Sequence, residues 1–203
     1  MSRVSAGDLD RVLQQYVRPQ SFPMAVGFAA PGAEAPPKLK RPHRDLGIRV
    51  AVCQSFAFAR RYGWGLAVGR EDLSCPLAHV AFGFSPSLPF YEAGNLCVEM
   101  YTRDAEAGAR SEAAVPRFPL GGRGLLLVAP LGRAAYEPEV VVFYGNGAQV
   151  MRLVAAALYE MVECCRYDAG ELDSDFAEVR DAFLDGTLCY VALPYRGVTF
   201  PDR

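Results

Sequence analysis

Two uninterrupted apolar runs in the second half of the chain constrain the fold most. They are "GLLLVAP" at 124–130 and "EVVVFY" at 139–144. A strand that faces water on one side alternates apolar and polar residues, and neither run does so. Both are therefore expected to be strands covered on both faces, inside a sheet with helices packed against it. Further strands are predicted at "MAVGFAA" (24–30), "GLAVGR" (65–70), "LCVEMYT" (96–102) and "TLCYVAL" (187–193).

Helical patterns lie between these strands. Ser5 and Asp8 have the spacing of a capping box at the start of the first helix. Pro76 suits the first position of another helix, which makes Cys75 its N-cap residue. The predicted helices fall within 5–17, 50–63, 71–83, 104–114, 145–165 and 174–186. Helices intermixed with strands predict an α+β or α/β fold with a mixed β-sheet, and 203 residues suit a single domain.

Charge and composition narrow the classes of partner. The formal net charge is −2 at pH 7, which argues against a general attraction to nucleic acid or to an anionic membrane. The polar start of the chain lacks the apolar core of a signal peptide, and no apolar run reaches the roughly 18 residues of a membrane span. A cytoplasmic protein with small-molecule or protein partners is therefore expected. Its six cysteines are expected to be reduced rather than paired as structural disulfides.

A basic cluster lies in the proline-rich segment 31–44. Its cations are Lys38, Lys40, Arg41 and Arg44. The prolines disfavour regular structure, so a solvated surface loop is the simpler interpretation and contact with an anion is the alternative.

Two cysteines carry the strongest indication of chemistry. The amides and dipole of a helix start favour a thiolate, so Cys75 is a candidate thiolate ligand or nucleophile and hence the candidate catalytic residue. Cys53 lies on the preceding predicted helix, and a Cys53 and Cys75 pair joined by His79, Cys97 or Cys189 would supply the ligands for zinc or an iron-sulfur cluster. The two thiols could instead form a redox-switched pair. The simpler alternative is a small buried side chain, and no CxxC pair supports a metal site.

The sequence "FYGNGAQVMR" at 143–152 indicates a second site. A strand that runs through a glycine loop into a helix directs backbone N–H groups towards the loop, which suits phosphate or carboxylate. Gly145, Asn146 and Gln149 are the candidate ligand-binding residues of this Gly-Asn loop. Arg152 is the single cation at the start of an otherwise apolar helix, so it needs either an acidic ligand or an internal ion-pair partner.

Three stretches of the chain resemble one protein family. "FPMAVGF", "CQSFAFARRYGWGLAVGREDLSCPLA" and "APLGRAAYEPEVVVFYGNGAQVMRL" are similar to the domain of unknown function family 169 (DUF169), also called the ArCR family. The resemblance runs from about Leu9 to about Pro194 and implies no established reaction, so it indicates where a site lies more than what it does. The positions that it implicates are Cys53, Arg60, Arg61, Gly63, Trp64, Glu71, Asp72, Cys75 and Pro76 in the first long stretch, and Glu137, Pro138, Tyr144, Gly145, Asn146, Gln149, Met151 and Arg152 in the second.

Two hypotheses about function follow. In the first, a small anionic ligand or cofactor binds where the Cys53 and Cys75 region meets the Gly-Asn loop, and redox or metal chemistry is linked to the thiols. Arg60, Arg61 and Trp64 are its further candidate ligand-binding residues. Whether such a protein is an enzyme stays open. In the second, the chain is a non-catalytic accessory subunit or a homo-oligomer, because Trp and Arg are frequent interface anchors and Trp64 has a glycine on each side.

Overall fold

A five-stranded sheet organises the fold. The computed structural model describes residues 5–96, 98–99, 101–158 and 189–194. The strands are Met24–Ala29 (β1), Leu66–Val68 (β2), Leu125–Pro130 (β3), Val140–Gly145 (β4) and Cys189–Pro194 (β5). Their order across the sheet is β2-β3-β1-β4-β5, and each neighbouring pair is antiparallel.

Helices connect the strands and cover the sheet. They are α1 (Ala6–Tyr16), α2 (Pro42–Leu46), α3 (Val52–Tyr62), α4 (Pro76–Ala81), α5 (Pro89–Glu92), α6 (Ala105–Ala114) and α7 (Gly147–Leu158), with a 3-10 turn at Leu131–Arg133. Ser5 caps α1 by accepting a hydrogen bond from the Asp8 amide at 3.1 Å, as the capping-box spacing predicts. Within the described residues, no helix combines the length and apolar character needed to cross a membrane.

Both faces of the sheet are buried, which explains the two uninterrupted apolar runs. Successive residues of a strand point to opposite faces. Leu126 and Val128 of β3 therefore join the core beneath α3, whereas Leu125 and Leu127 join a core on the other face. Phe143 of β4 packs on that second face with residues of α1 and α7. Full burial of a large apolar side chain stabilises the fold by about 1.5–3 kcal/mol, so these strands are a main source of its stability.

The predicted α+β fold is confirmed, with two differences in the β structure. All described strand pairs are antiparallel, so the sheet is not mixed. The predicted strand at 96–102 is wrong for its described residues, because Val98 and Thr102 form only an isolated parallel bridge and the φ of 65° at Glu99 is not that of a strand. A short alternating pattern does not distinguish a strand from a turn. The predicted helix at 174–186 and the end of the one at 145–165 lie outside the described residues.

Candidate functional site

The segments that lead into α3 and α4 run side by side. The Val50 amide donates to the Asp72 carbonyl oxygen at 2.8 Å, and the Ser74 amide donates to the Val50 carbonyl oxygen at 3.0 Å. This bridge brings Arg49 next to the loop 69–72, which follows β2. Two stretches that α3 and β2 separate along the chain thus become neighbours.

Asp72 is the buried acid of this region. Its side chain is 0% exposed and pairs with Arg41 Nη2 at 2.7 Å. Its carboxylate also accepts hydrogen bonds from Arg41 Nε at 2.7 Å, from the His43 amide at 2.9 Å and from the Gly69 amide at 2.8 Å. A buried carboxylate requires a compensating charge and hydrogen bonds, and Asp72 has both. It therefore ties the start of α2 to the loop after β2 and fixes the position of the Arg41 guanidinium.

Arg41 borders an open cleft of about 590 Å³, which we name the arginine cleft. Its lining consists of Gly32, Ala33, Arg41, Arg49, Gly69, Arg70, Glu71, His79, Gly124 and Leu125. Arg41 Nη2 also bonds to Glu71 Oε1 at 2.7 Å. Arg49 and Arg70 are exposed, and neither has an ion-pair partner within the part of the chain that the structure describes. The cleft therefore contains the guanidinium groups of Arg49 and Arg70 in addition to that of Arg41, which Asp72 and Glu71 hold.

His79 forms part of the wall of the cleft and has a fixed ring orientation. Its Nε2 lies 3.1 Å from the Leu73 carbonyl oxygen, and because a carbonyl only accepts, Nε2 carries the hydrogen. The ring also packs edge to face on Phe84, with 6.4 Å between the ring centres. In the neutral ring, Nδ1 is then an acceptor, and in the charged ring it becomes a donor.

The predicted basic cluster is divided among different partners. Arg41 belongs to the arginine cleft, and Lys40 Nζ lies 4.8 Å from the ring centre of Trp64. Arg44 Nε pairs with Asp45 at 2.7 Å, and this hydrogen bond is the main reason why the pKa of Asp45 falls to about 2. Lys38, Arg41 and Arg44 nevertheless line one common pocket of about 500 Å³, so contact of this cluster with an anion stays a prediction.

Cys53 and Cys75 have different neighbours although their helices start side by side. Both are free, with Cys53 exposed and Cys75 half-buried. Burial raises the pKa of the Tyr144 phenol, the charge of Arg60 opposes that rise, and the negative charge of a Cys53 thiolate adds to it. Burial also raises the pKa of Tyr91, and the Cys75 thiol is the next cause. Cys75 is the N-cap residue of α4, as predicted, but its side chain makes no capping hydrogen bond.

No group of three or more His, Cys, Asp and Glu side chains among the described residues could hold a metal ion. Cys53, Cys75 and His79 all belong to that part of the chain, so these three do not together form a zinc or iron-sulfur site. The side chains of Cys97 and Cys189 lie outside it. A metal site that includes either of them stays a prediction.

The Gly-Asn loop bonds to itself and to the end of α1. The Asn146 amide donates to Gln149 Oε1 at 2.9 Å, and the Gln149 amide donates to Asn146 Oδ1 at 3.0 Å. This reciprocal arrangement caps α7. Gln149 Nε2 also donates to the Arg18 carbonyl oxygen at 2.8 Å, and Arg152 Nη1 donates to that of Tyr16 at 3.3 Å. These contacts hold the loop in the fold, and an anion clamp at Gly145, Asn146, Gln149 and Arg152 stays a prediction.

Replacing Asn146 by alanine is expected to lower the free energy of unfolding by about 1 kcal/mol, because the Gln149 amide loses its cap. Asn146→Asp keeps a side-chain acceptor and is expected to cost less. Urea denaturation of both variants measures the difference. An Asn146→Ala variant as stable as the parent would show that the cap is not what this side chain contributes.

The two long stretches that the resemblance implicates meet in space on one face of the sheet, where Leu66 and Val142 share a core and the side chain of Arg60 contacts Tyr144. The guanidinium carbon of Arg60 on α3 lies 4.2 Å from the ring centre of Tyr144 on β4, a cation–π geometry. Arg61 is exposed, and Trp64 stacks on Phe58 with 5.2 Å between the ring centres. The contact joins α3 to the strand before the Gly-Asn loop, rather than joining the Cys75 thiol to the loop itself.

Reasoning from the sequence missed the arginine cleft. Arg49 and Arg70 were not candidate residues, and Asp72 was implicated by the family resemblance but not as the partner of an arginine. The available signal was "GREDL" at 69–73, where an arginine and two acids directly follow an apolar strand. The partner of Asp72, Arg41, lies 31 residues away along the chain, and no spacing rule predicts such a contact.

Comparison with known families identifies a match over most of the chain. The model of a family described as uncharacterised ArCR, domain of unknown function 169, matches residues 12–166. No curated protein and no solved structure matches.

Proposed function

We propose that this chain, which belongs to the uncharacterised ArCR family, binds a small anionic molecule in its arginine cleft. The observation that carries the proposal is the presence of Arg41, Arg49 and Arg70 in one cleft where two of the three have no carboxylate partner among the described residues. Guanidinium groups bind carboxylate and phosphate through paired, charge-assisted hydrogen bonds. An anionic ligand would supply the missing partners.

The size and lining of the cleft favour a small organic anion. Its volume of about 590 Å³ lies within the roughly 300–1,000 Å³ of small-molecule sites. Leu125 and Ala33 add apolar surface beside the arginines. A ligand that has an anionic group and an organic body therefore fits better than a bare ion.

The bonds to Asp72 prepare the cleft for its ligand. They fix the Arg41 guanidinium before binding, so its side chain loses little further rotamer freedom when an anion arrives. Arg49 and Arg70 are exposed and lose more freedom on binding. We therefore assign Arg41 to orientation, and Arg49 and Arg70 to most of the charge attraction.

Citrate and inorganic phosphate are suitable probes, with isothermal titration calorimetry as the measurement. Citrate is expected to bind more tightly than phosphate because it can pair with more than one guanidinium group. The double variant Arg49→Ala and Arg70→Ala is expected to weaken citrate binding by about tenfold or more, because each lost hydrogen bond to a charged group contributes about 1.5–3 kcal/mol. Bound citrate should also raise Tm by mass action.

The matched control is the double variant Arg11→Ala and Arg103→Ala. These two arginines are 74% and 85% exposed, lie outside the cleft and change the net charge by the same amount. If both double variants lose the same affinity, net charge rather than the cleft governs binding. If neither citrate nor phosphate binds the parent protein, the proposal fails.

The thiol hypothesis is a separate proposal that the cleft does not require. Cys53 and Cys75 are outside the lining of the cleft. A redox pair, a metal site that includes Cys97 or Cys189, and a cytoplasmic location remain predictions from the sequence. Reaction of Cys75 with a thiol reagent no faster than that of a free thiol would remove its role as a nucleophile.

A further inference from the structure

An exposed aromatic cluster surrounds the carboxyl end of α3. The rings of Phe58 and Trp64 stack with 5.2 Å between their centres and 27° between their planes. Tyr62 lies 6.3 Å from Trp64. Tyr62 is 64% exposed and Trp64 is 36% exposed. Large rings that stay this accessible at one place indicate a contact surface rather than a core.

Two cations lie over aromatic rings here, one over Trp64 and one over the neighbouring Phe22. Lys40 Nζ is 4.8 Å from the centre of the Trp64 ring, and the guanidinium carbon of Arg133 is 5.2 Å from that of Phe22. Arg133 Nη1 also lies 3.5 Å from the Gly63 carbonyl oxygen, which joins the Phe22 pair to the cluster. Neither cation is paired with a carboxylate of the described residues. We name this area the Trp64 surface, and it comprises Phe22, Lys40, Phe58, Tyr62, Trp64 and Arg133.

We propose that the Trp64 surface binds an acidic segment of a partner protein. Apolar side chains of the segment pack on the exposed rings, and its carboxylates pair with Lys40 and Arg133. Aromatic residues and arginine are enriched at the centres of protein interfaces, where they carry much of the binding energy. Complementary charge then selects acidic partners over basic ones.

A second copy of this chain fits the surface less well than an acidic partner. A two-fold interface places each surface against itself, which brings Lys40 and Arg133 of one copy towards the same cations of the other. Arg61, three residues after Phe58 on α3, is exposed and adds a further positive charge. The Asp10 carboxylate lies beside Gly132, the residue before Arg133, and one such carboxylate does not balance these cations.

Single-stranded nucleic acid also fits less well, because few ring faces are free. Bases bind proteins by stacking on open aromatic faces. Phe58 and Trp64 cover one another, Lys40 lies over Trp64, and Arg133 lies over Phe22. Tyr62 alone offers a largely open ring. The surface therefore presents mainly ring edges and cations. A polypeptide can contact both with its apolar and acidic side chains.

The test uses a fluorescein-labelled synthetic peptide in which aspartate and glutamate alternate with leucine and phenylalanine. Fluorescence anisotropy with the full chain is expected to show binding at least about tenfold tighter than for the same peptide made with asparagine and glutamine, and added salt should reduce that difference. Trp64→Ala is expected to weaken binding about tenfold or more. Lys40→Glu together with Arg133→Glu is expected to abolish the preference for the acidic peptide while leaving every ring in place.

Two control variants separate this surface from the rest of the molecule. Tyr101→Ala removes another exposed ring, 61% accessible, that is outside the surface. The double variant Arg49→Ala and Arg70→Ala removes the charges of the arginine cleft. Both are expected to bind the acidic peptide like the parent protein. Loss of peptide binding in the cleft variant would assign the effect to the cleft and overturn the proposal.

Two further probes test the other occupants. A labelled oligodeoxythymidylate that binds more tightly than the acidic peptide would overturn the proposal in favour of nucleic acid. Residues 159–188 of this chain contain nine acidic and two basic side chains. A synthetic peptide of that sequence that binds the Trp64 surface more tightly than the designed peptide would assign the surface to the chain itself. Equal binding of the acidic and amide peptides, or no binding of either, also overturns the proposal.

Discussion

Replacing Asp72 by alanine is expected to lower the free energy of unfolding by about 3–5 kcal/mol. The change leaves the Arg41 guanidinium, which is 16% exposed, without its buried partner. It also leaves the amides of His43 and Gly69 without the acceptor that they have in the native fold. In a protein of this size the loss corresponds to a fall in Tm of roughly 10 °C, which thermal unfolding by circular dichroism measures.

The neighbouring acid provides the matched control. Glu71 bonds to the same guanidinium but is 65% exposed, so Glu71→Ala is expected to cost less than about 1 kcal/mol. Asp72→Asn keeps one acceptor oxygen but removes the charge. Its loss in the free energy of unfolding is expected to lie between those of Asp72→Ala and Glu71→Ala. If Asp72→Ala and Glu71→Ala proved equally mild, the buried carboxylate would not be what joins α2 to the loop after β2.

Local signals in the sequence predicted much of the fold. Ser5 and Asp8 form the expected cap, Cys75 is the N-cap residue of α4 directly before Pro76, and Gly63 is the C-cap residue of α3. The five predicted strands other than the one at 96–102 correspond to β1 to β5. Each of these features depends on residues a few positions apart, where propensity and capping act directly.

Contacts between distant parts of the chain were not predictable in the same way. Strand order depends on which strand edges pair in the folded chain. An apolar run in the sequence does not indicate which strand will pair with it. The same limit applies to the candidate site. In the sequence, Arg41 and Asp72 are ordinary loop residues, and only the fold brings them together. Gln149 was predicted to bind a ligand because the sequence does not show that its side chain donates to the Arg18 carbonyl oxygen.

Gly94, which follows α5, packs its backbone directly against Gly108 of α6. Gly94 has a φ of 75°, and a Cβ there would overlap the Ala105 carbonyl oxygen and the Ala109 amide. Gly94→Ala is therefore expected to cost roughly 2–5 kcal/mol, since the left-handed conformation and the overlap both oppose it. Urea denaturation of the variant and of the parent protein measures the loss.

Substitutions at three other glycines distinguish the cost of the left-handed conformation from the cost of steric overlap. Gly121 has a φ of 71°, and a Cβ added there would meet no atom within 4 Å, so Gly121→Ala is expected to cost only the roughly 1–2 kcal/mol of the left-handed conformation. Gly7 lies on α1 with ordinary space around it, and Gly7→Ala is expected to stabilise the fold by up to about 1 kcal/mol. Gly108 is also helical, yet a Cβ there would overlap the backbone of Gly94, so Gly108→Ala should destabilise. If Gly7→Ala raises the free energy of unfolding and Gly108→Ala lowers it, the approach of α5 to α6 requires the glycine at 108. A change of the same sign in both variants would refute this requirement.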